Sequence, residues 1–215
     1  VKSDDNSAGL ENVVIAKCVV YHAHGGFVIG SNTDGGMENI FVSDCNFIGT
    51  DIGVRVKSNA GRGGLVKNIY VKNIFMKDIV NEAISFNTYY EDMPAGKIKS
   101  KGPLVIKEKT PHFTNFYFDS IYCNGAKTAI SITGLPGMPV DKIYFRNMII
   151  SADKGFEATD AADLILDNVK IISSQKPLYQ LNNVKNIDVK ESGLKDEPKS
   201  YFKVEGNTSG FTIEN

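Results

Sequence analysis

Runs of helix-favouring residues are scarce in this chain, while Val, Ile, Phe, Tyr, Asn and Gly are plentiful. That balance predicts an all-β fold. No apolar run is long enough to cross a bilayer as a helix. Excess charge of one sign is also missing. The 24 Lys and Arg oppose 25 Asp and Glu, for a formal net charge of −1, so neither nucleic acid nor an anionic membrane is implied as a bulk partner. The cysteines are few and odd in number. Cys18, Cys45 and Cys123 lack zinc or redox spacing, and a stack of buried free thiols is expected rather than a disulfide or a metal site. No secretory leader is visible and the chain opens at Val1-Lys2-Ser3 without Met, as expected of a processed or truncated product. At 215 residues it is long enough to bury a core as one large domain, residues 1–215.

What the chain does have is repetition. Asn12-Val13-Val14-Ile15-Ala16-Lys17-Cys18-Val19-Val20 aligns with copies starting at Asn39, Asn68 and Asn115, and more weakly at Lys142, Asp163 and Asn186. The shared pattern is Asn, apolar, any, apolar, two polar, apolar, any, apolar. Copies at 12 and 39 are 27 residues apart, those at 39 and 68 are 29 apart, and those at 115 and 142 are 27 apart. The 47-residue gap from 68 to 115 holds an insert, 91–112, rich in Lys, Pro and Gly. Each copy is followed by a short alternating strand: 27–30, 54–57, 84–87, 130–133 and, less cleanly, 178–181. Period two puts Val54, Val56, Ile84, Phe86, Ile130 and Ile132 inward, and Arg55, Lys57, Ser85, Asn87, Ser131 and Thr133 outward.

A unit of this length cannot close a core alone, but stacked units bury their apolar faces on one another. The expected architecture is a β-solenoid, a right-handed parallel β-helix of about seven coils, with residues 195–215 closing the last coil. A β-sandwich would instead show tight hairpin turns between neighbouring strands. Equivalent residues should stack about 4.8 Å apart. Cys18 and Cys45 share a slot, and the repeated Asn should form a ladder at a turn where positive φ is tolerated.

The candidate chemistry lies between His22 and Lys57, with an extension to Tyr89. His24 sits in a Gly-flanked turn. Arg55 and Lys57 alternate with valines, so both cations project from one strand face. Such a pair suits an anionic ligand, although a lone Arg-x-Lys also fits a solvated basic edge. The order Ala23-His24-Gly25, Arg55-Val56-Lys57 and then Tyr89 resembles glycoside hydrolase family 28, the polygalacturonase-like pectin hydrolases. The stretches Gly25–Ser31, Gly61–Gly64 and Thr110–Tyr117 are similar to its bacterial branch.

That resemblance implies a secreted or periplasmic enzyme that cleaves galacturonosyl linkages of pectin with inversion, without cofactor or metal. His24 matches the histidine beside the family's catalytic carboxylates. Arg55 and Lys57 match the pair gripping the substrate carboxylate, and Tyr89 the tyrosine lining that subsite. Gly30 and Ser31 complete the implied substrate-binding set, with Gly30 leaving room for a sugar ring. The insert at 91–112 is expected at the rim of the same cleft.

Two departures stand out. Ala23 replaces a Gly, and the family's catalytic aspartates have no match. Val1-Lys2-Ser3 resembles the segment just after them, so the N-terminal coils are expected to be missing. The chain alone is expected to be inactive, and an upstream segment of the same protein is its expected partner. Asp4-Asp5 and Asn32-Thr33-Asp34 imitate the missing motifs out of order and are read as turns. The alternatives are a non-catalytic saccharide-binding β-helix and a pectate lyase-like β-helix, the latter needing acidic Ca²⁺ ligands near Arg55.

Overall fold

The repeated Asn marks a bend in every coil. Asn12, Asn39, Asn68, Asn115, Lys142, Asp163 and Asn186 all have φ between 52° and 57°, the left-handed region that Asn and Asp enter most readily. Five residues further on, Lys17, Asp44, Asn73, Ser120, Asn147, Asn168 and Glu191 form a second such series. The bends stack. Asn39 donates its amide to Asn12 (3.2 Å) and Asn68 to Asn39 (3.3 Å). In the second series Asn73 donates to Asp44 (2.6 Å) and Asn168 to Asn147 (3.0 Å).

The structure is a computed structural model that describes residues 1–4, 8–60, 62–89, 109–194 and 201–214. Its strands are β1 (Leu10–Ala16), β2 (Val19–Tyr21), β3 (Phe27–Ile29), β4 (Met37–Ile48), β5 (Val54–Lys57), β6 (Leu65–Lys77) and β7 (Glu82–Asn87). They continue as β8 (His112–Asn124), β9 (Thr128–Thr133), β10 (Val140–Ala152), β11 (Lys154–Ser173), β12 (Tyr179–Lys190), β13 (Phe202–Glu205) and β14 (Ser209–Glu214). All named strands pair in parallel, in two rows. Long strands run β1-β4-β6-β8-β10, and short strands run β3-β5-β7-β9. The rows join in β11, which pairs β9 with its first half and β10 with its second. β12 follows β11, and β13 and β14 add the last rung to each row. The chain is a parallel β-helix.

Register confirms the repeat alignment. Ile40, Ile69, Phe116, Ile143, Leu164 and Ile187 lie side by side, and all are buried. Val54, Val56, Ile84, Phe86, Ile130 and Ile132 are at most 1 % exposed, so alternation located the core. One rung escaped the sequence reading. Phe156 and Ala158 pair with Ile130 and Ile132, in a coil where the interval from Lys142 to Asp163 shortens to 21 residues.

The thiol stack is partly corrected. All three cysteines are free, and the Cys18 N–H lies 3.4 Å from the Cys45 sulfur. Cys45 is buried but Cys18 is only half covered. Cys123 belongs to another column, between Met76 and Ile150, where burial pushes its thiol up to about 12. Leu10, Val13, Ile15 and Val20 are half covered like Cys18, while Met37, Ile40, Val42 and Phe47 on the next rung are buried.

Of the expected insert, residues 91–108 lie outside the described residues, as do 195–200 and 215 of the expected closure. No helix among the described residues is long and apolar enough to cross a membrane.

Candidate active site

Each candidate residue is placed by the short-strand row. On its outer face one column reads Val28, Arg55, Ser85, Ser131, Glu157 and Gln180. Two residues along, Lys57, Asn87, Thr133, Thr159 and Asn182 form the next. Arg55 and Lys57 are half exposed on β5, over the buried Val54 and Val56. Tyr89 follows Asn87, the neighbour of Lys57, by two residues, and its N–H donates to the Asn87 side chain (2.8 Å). Residues separated by up to 65 positions are thus gathered on three adjacent rungs, a span of roughly 10 Å.

His24 lies just before β3, with its side chain 96 % exposed. Its Nδ1 is 2.7 Å from Asp51 Oδ2, and the Asp51 N–H donates to the Ala23 carbonyl (2.8 Å). A carboxylate can only accept there, so Nδ1 carries the proton and Nε2 is left toward solvent. The next residue, Gly25, packs against β5, and a Cβ added to it would lie 3.9 Å from Arg55 Cβ. His24 and Arg55 are therefore brought together by the backbone. His22, in contrast, is an exposed bend residue whose ring covers Gly49.

Gly30 and Ser31 have a different setting from the open space expected. Gly30 is buried with φ 92°, and a Cβ there would meet the Lys57 carbonyl oxygen at 1.8 Å. Glycine is needed for backbone approach and dihedral angle rather than for ligand room. Ser31 is 7 % exposed, and its hydroxyl accepts from Arg62 Nη1 (3.1 Å). Both residues shape the backbone beneath Lys57. Thr33 bonds Ser58 and the Arg62 carbonyl, each at 3.0 Å, and the Gly36 N–H closes a turn on Thr33 (2.9 Å). Asn32-Thr33-Asp34 is thus structural, as expected. Asp5 lies outside the described residues.

The sequence reading missed two carboxyl groups on this face: Glu82, near the Arg55 charge, and Glu157, three rungs along the Arg55 column. Strict alternation puts Glu82 inward with Ile84, but Ala83 to Phe86 are all buried while Glu82 is only partly covered, within reach of the Arg55 charge. Burial pushes its carboxyl up, against a backbone hydrogen bond and the charges of Arg55 and Lys127, while Glu157 adds to the rise. Glu157 stands in the Arg55 column, within 3.5 Å of Lys154 and 3.4 Å of Gln180. Burial, with a smaller push from Asp160, raises the Tyr89 phenol. Among the described residues no group of three or more His, Cys, Asp or Glu side chains is arranged to hold a metal ion.

Comparison with known proteins decides the family. The model of glycosyl hydrolases family 28 matches residues 2–154. The chain belongs to this family. It is 29 % identical over 174 residues to a polygalacturonase of Ralstonia nicotianae, covering 79 % of the chain and 27 % of that protein. It is 26 % identical over 172 residues to an exo-poly-alpha-D-galacturonosidase of Dickeya chrysanthemi, covering 78 % and 28 %. The family 28 exopolygalacturonase structure from Yersinia enterocolitica superposes with a TM-score of 0.67 at 20 % identity, covering 82 % of this chain and 30 % of that one. The exopolygalacturonase from Thermotoga maritima gives 0.59 at 22 %, covering 76 % and 33 %. The chain thus spans little more than a quarter of the length of these two family 28 sequence relatives.

Proposed function

We propose that this chain carries the carboxylate-gripping part of a galacturonan-cleaving site. The observation that carries the reading is the juxtaposition of His24, Arg55 and Lys57, with Tyr89 beside them, on one face of the short-strand row. Arg55 presents a planar fork to a sugar carboxylate and Lys57 a point charge. His24, held by Asp51, offers Nε2 to the reacting region. The substrate is the galacturonan of pectin, and the reaction is hydrolysis with inversion by a pair of carboxyl groups. Those carboxyls are not the ones seen near the cluster, since Asp51 is engaged by His24 and Glu82 is a partly covered carboxyl under the charge of Arg55. The chain alone therefore binds substrate without cleaving it, and the full enzyme works outside the cytoplasm.

The test is reducing-sugar release from polygalacturonate by the 215-residue chain, beside binding of oligogalacturonates to it. Binding without turnover is the expected result. Turnover by the chain alone would move the catalytic role to Asp51, Glu82 or Asp34. Absence of binding would remove the reading altogether.

A further inference from the structure

The loop that joins β5 to β6 is clamped between the loop before β4 and the segment before β8. On one side Gly64 touches the first of these, where an added Cβ would lie 2.4 Å from the Thr33 carbonyl oxygen. On the other side Gly63 touches the second, where a Cβ would lie 2.0 Å from the Pro111 nitrogen. Neither position has room for a side chain, so close backbone approach requires glycine at both. Hydrogen bonds fix the stack. The Thr33 N–H donates to the Arg62 carbonyl (3.0 Å), and the Gly63 N–H to the Lys109 carbonyl (3.1 Å). Asp34 of the first loop also pairs with Lys109 (3.7 Å).

Arg62 stands beside these glycines, half-buried, and its side chain reaches across to the preceding coil. Its Nη1 donates to the buried Ser31 hydroxyl (3.1 Å). The Ser31 carbonyl is held too, accepting from the Ser58 hydroxyl (2.9 Å). Ser58 is fully buried and follows Lys57 in the chain, and its N–H donates to the Asn87 carbonyl (3.0 Å). Ser31 is therefore pinned from two sides. Its neighbour Gly30 lies under the Lys57 stem, since a Cβ placed there would be 3.6 Å from Lys57 Cγ. Contacts thus run without a gap from Arg62 through Ser31 and Gly30 to Lys57. A guanidinium suits the anchoring end, because its donors are planar, its charge is permanent, and charge-assisted hydrogen bonds are stronger than neutral ones.

We propose that Arg62 is a positioning residue for Lys57. It fixes Ser31 and Gly30, and with them the surface on which the lysine stem rests, so that the ammonium meets a sugar carboxylate while Arg62 itself does not touch the sugar. This rests on the reading of the cation pair given above.

The test is calorimetric titration of the 215-residue chain with D-galacturonate and D-galactose. It compares the wild type with Arg62→Gln, Ser31→Ala, the double variant and Lys57→Gln, each with its thermal transition recorded. Carbon-13 NMR of the lysine ε-methylenes, with Lys57 assigned by its loss in Lys57→Gln, reads the lysine's setting in the sugar-free protein. Arg62→Gln and Ser31→Ala should each weaken galacturonate binding roughly tenfold and leave galactose binding unchanged. The double variant should bind no more weakly than either single one, as expected for two residues acting as a unit. The Lys57 signal should move in both single variants. A lowered thermal transition with wild-type galacturonate affinity would make Arg62 a fold residue only and overturn the proposal. Loss in Arg62→Gln but not in Ser31→Ala, or losses that add in the double variant, would mean that the guanidinium acts on the sugar directly and would overturn it as well. If the Lys57 signal moves in both single variants while Lys57→Gln binds galacturonate like the wild type, the positioning stands and the reading of Arg55 and Lys57 falls.

Discussion

The two rows of strands share one core and one spacing, yet their outer faces obey opposite rules. On the long-strand row, like stands on like. Phe41, Tyr70, Tyr117 and Tyr144 form a ladder with ring centroids 4.8, 4.9 and 4.8 Å apart and planes within 6°. The Asn and Asp bends stack in the same way. Repetition is stabilising there, because flat rings and amides bond well to copies of themselves. Across the ladder the ring faces are used by neighbouring rings, leaving edges for solvent. On the short-strand row the column changes type, from Val28 to Arg55, then to Ser85 and Ser131, then to Glu157. Charges cannot be stacked on copies of themselves without repulsion, so the rungs beside Arg55 must differ from it. In a solenoid, the face where the repeat is kept holds the fold, and the face where it is broken is free to recognise something.

The contrast can be broken from either side. Phe118→Ala removes a fully buried ring between Val71 and Phe145. Unfolding in urea should show a loss of about 3–5 kcal/mol, with galacturonate affinity of the folded protein unchanged. At the bends, Asn68→Ala loses both the amide ladder and the residue best suited to φ 56°. It should cost about 1–2 kcal/mol, and Asn68→Gly should recover part of that by relieving the backbone alone. On the recognition side, Asp51→Ala frees His24 Nδ1. Nitrogen NMR of the ring should show the Nδ1–H tautomer losing preference by about tenfold, one hydrogen bond's worth, with little change in stability. An unchanged tautomer would mean that Asp51 does not position His24.

A smaller, pH-dependent effect concerns Asp141 in the long-strand row. Burial pushes its carboxyl up, but the hydrogen bond from His112, with smaller effects from the neighbouring Thr114 hydroxyl and the His112 and Lys142 charges, brings it below 3.8 overall. His112 Nε2 lies 3.1 Å away. A carboxyl lowered in the folded state adds stability that is full above the unfolded value and lost as pH falls through the folded one. Asp141→Asn should therefore flatten the acid limb of the stability profile below pH 3.8. A wild-type acid limb in that variant would contradict the assignment.

The sequence revealed the regular row far better than the irregular one, for physical reasons. Residues such as Asn39 and Asn68 repeat because identical bends need identical residues, so a pattern search finds them. Glu82 was hidden because alternation fails in β7, where Ala83 to Phe86 are buried in succession. The Phe156 rung was hidden by a coil of 21 residues that follows one of 27. The His24–Asp51 pair did leave a signal. Its members are 27 residues apart, the interval that also separates Asn12 from Asn39 and Cys18 from Cys45. Chemistry-bearing residues one coil length apart are neighbours in space. Gly30 shows the converse, since its place in a familiar motif suggested ligand room where the structure has the Lys57 carbonyl.

The claim that the short-strand face recognises a sugar carboxylate is tested most directly at Lys57. Titration of the wild type and Lys57→Gln with D-galacturonate and D-galactose isolates the charge, because the sugars differ at C6, where one bears a carboxylate and the other a hydroxymethyl group. The account predicts that Lys57→Gln weakens galacturonate binding by roughly tenfold or more while galactose binding is unaltered. Equal losses for the two sugars would contradict it.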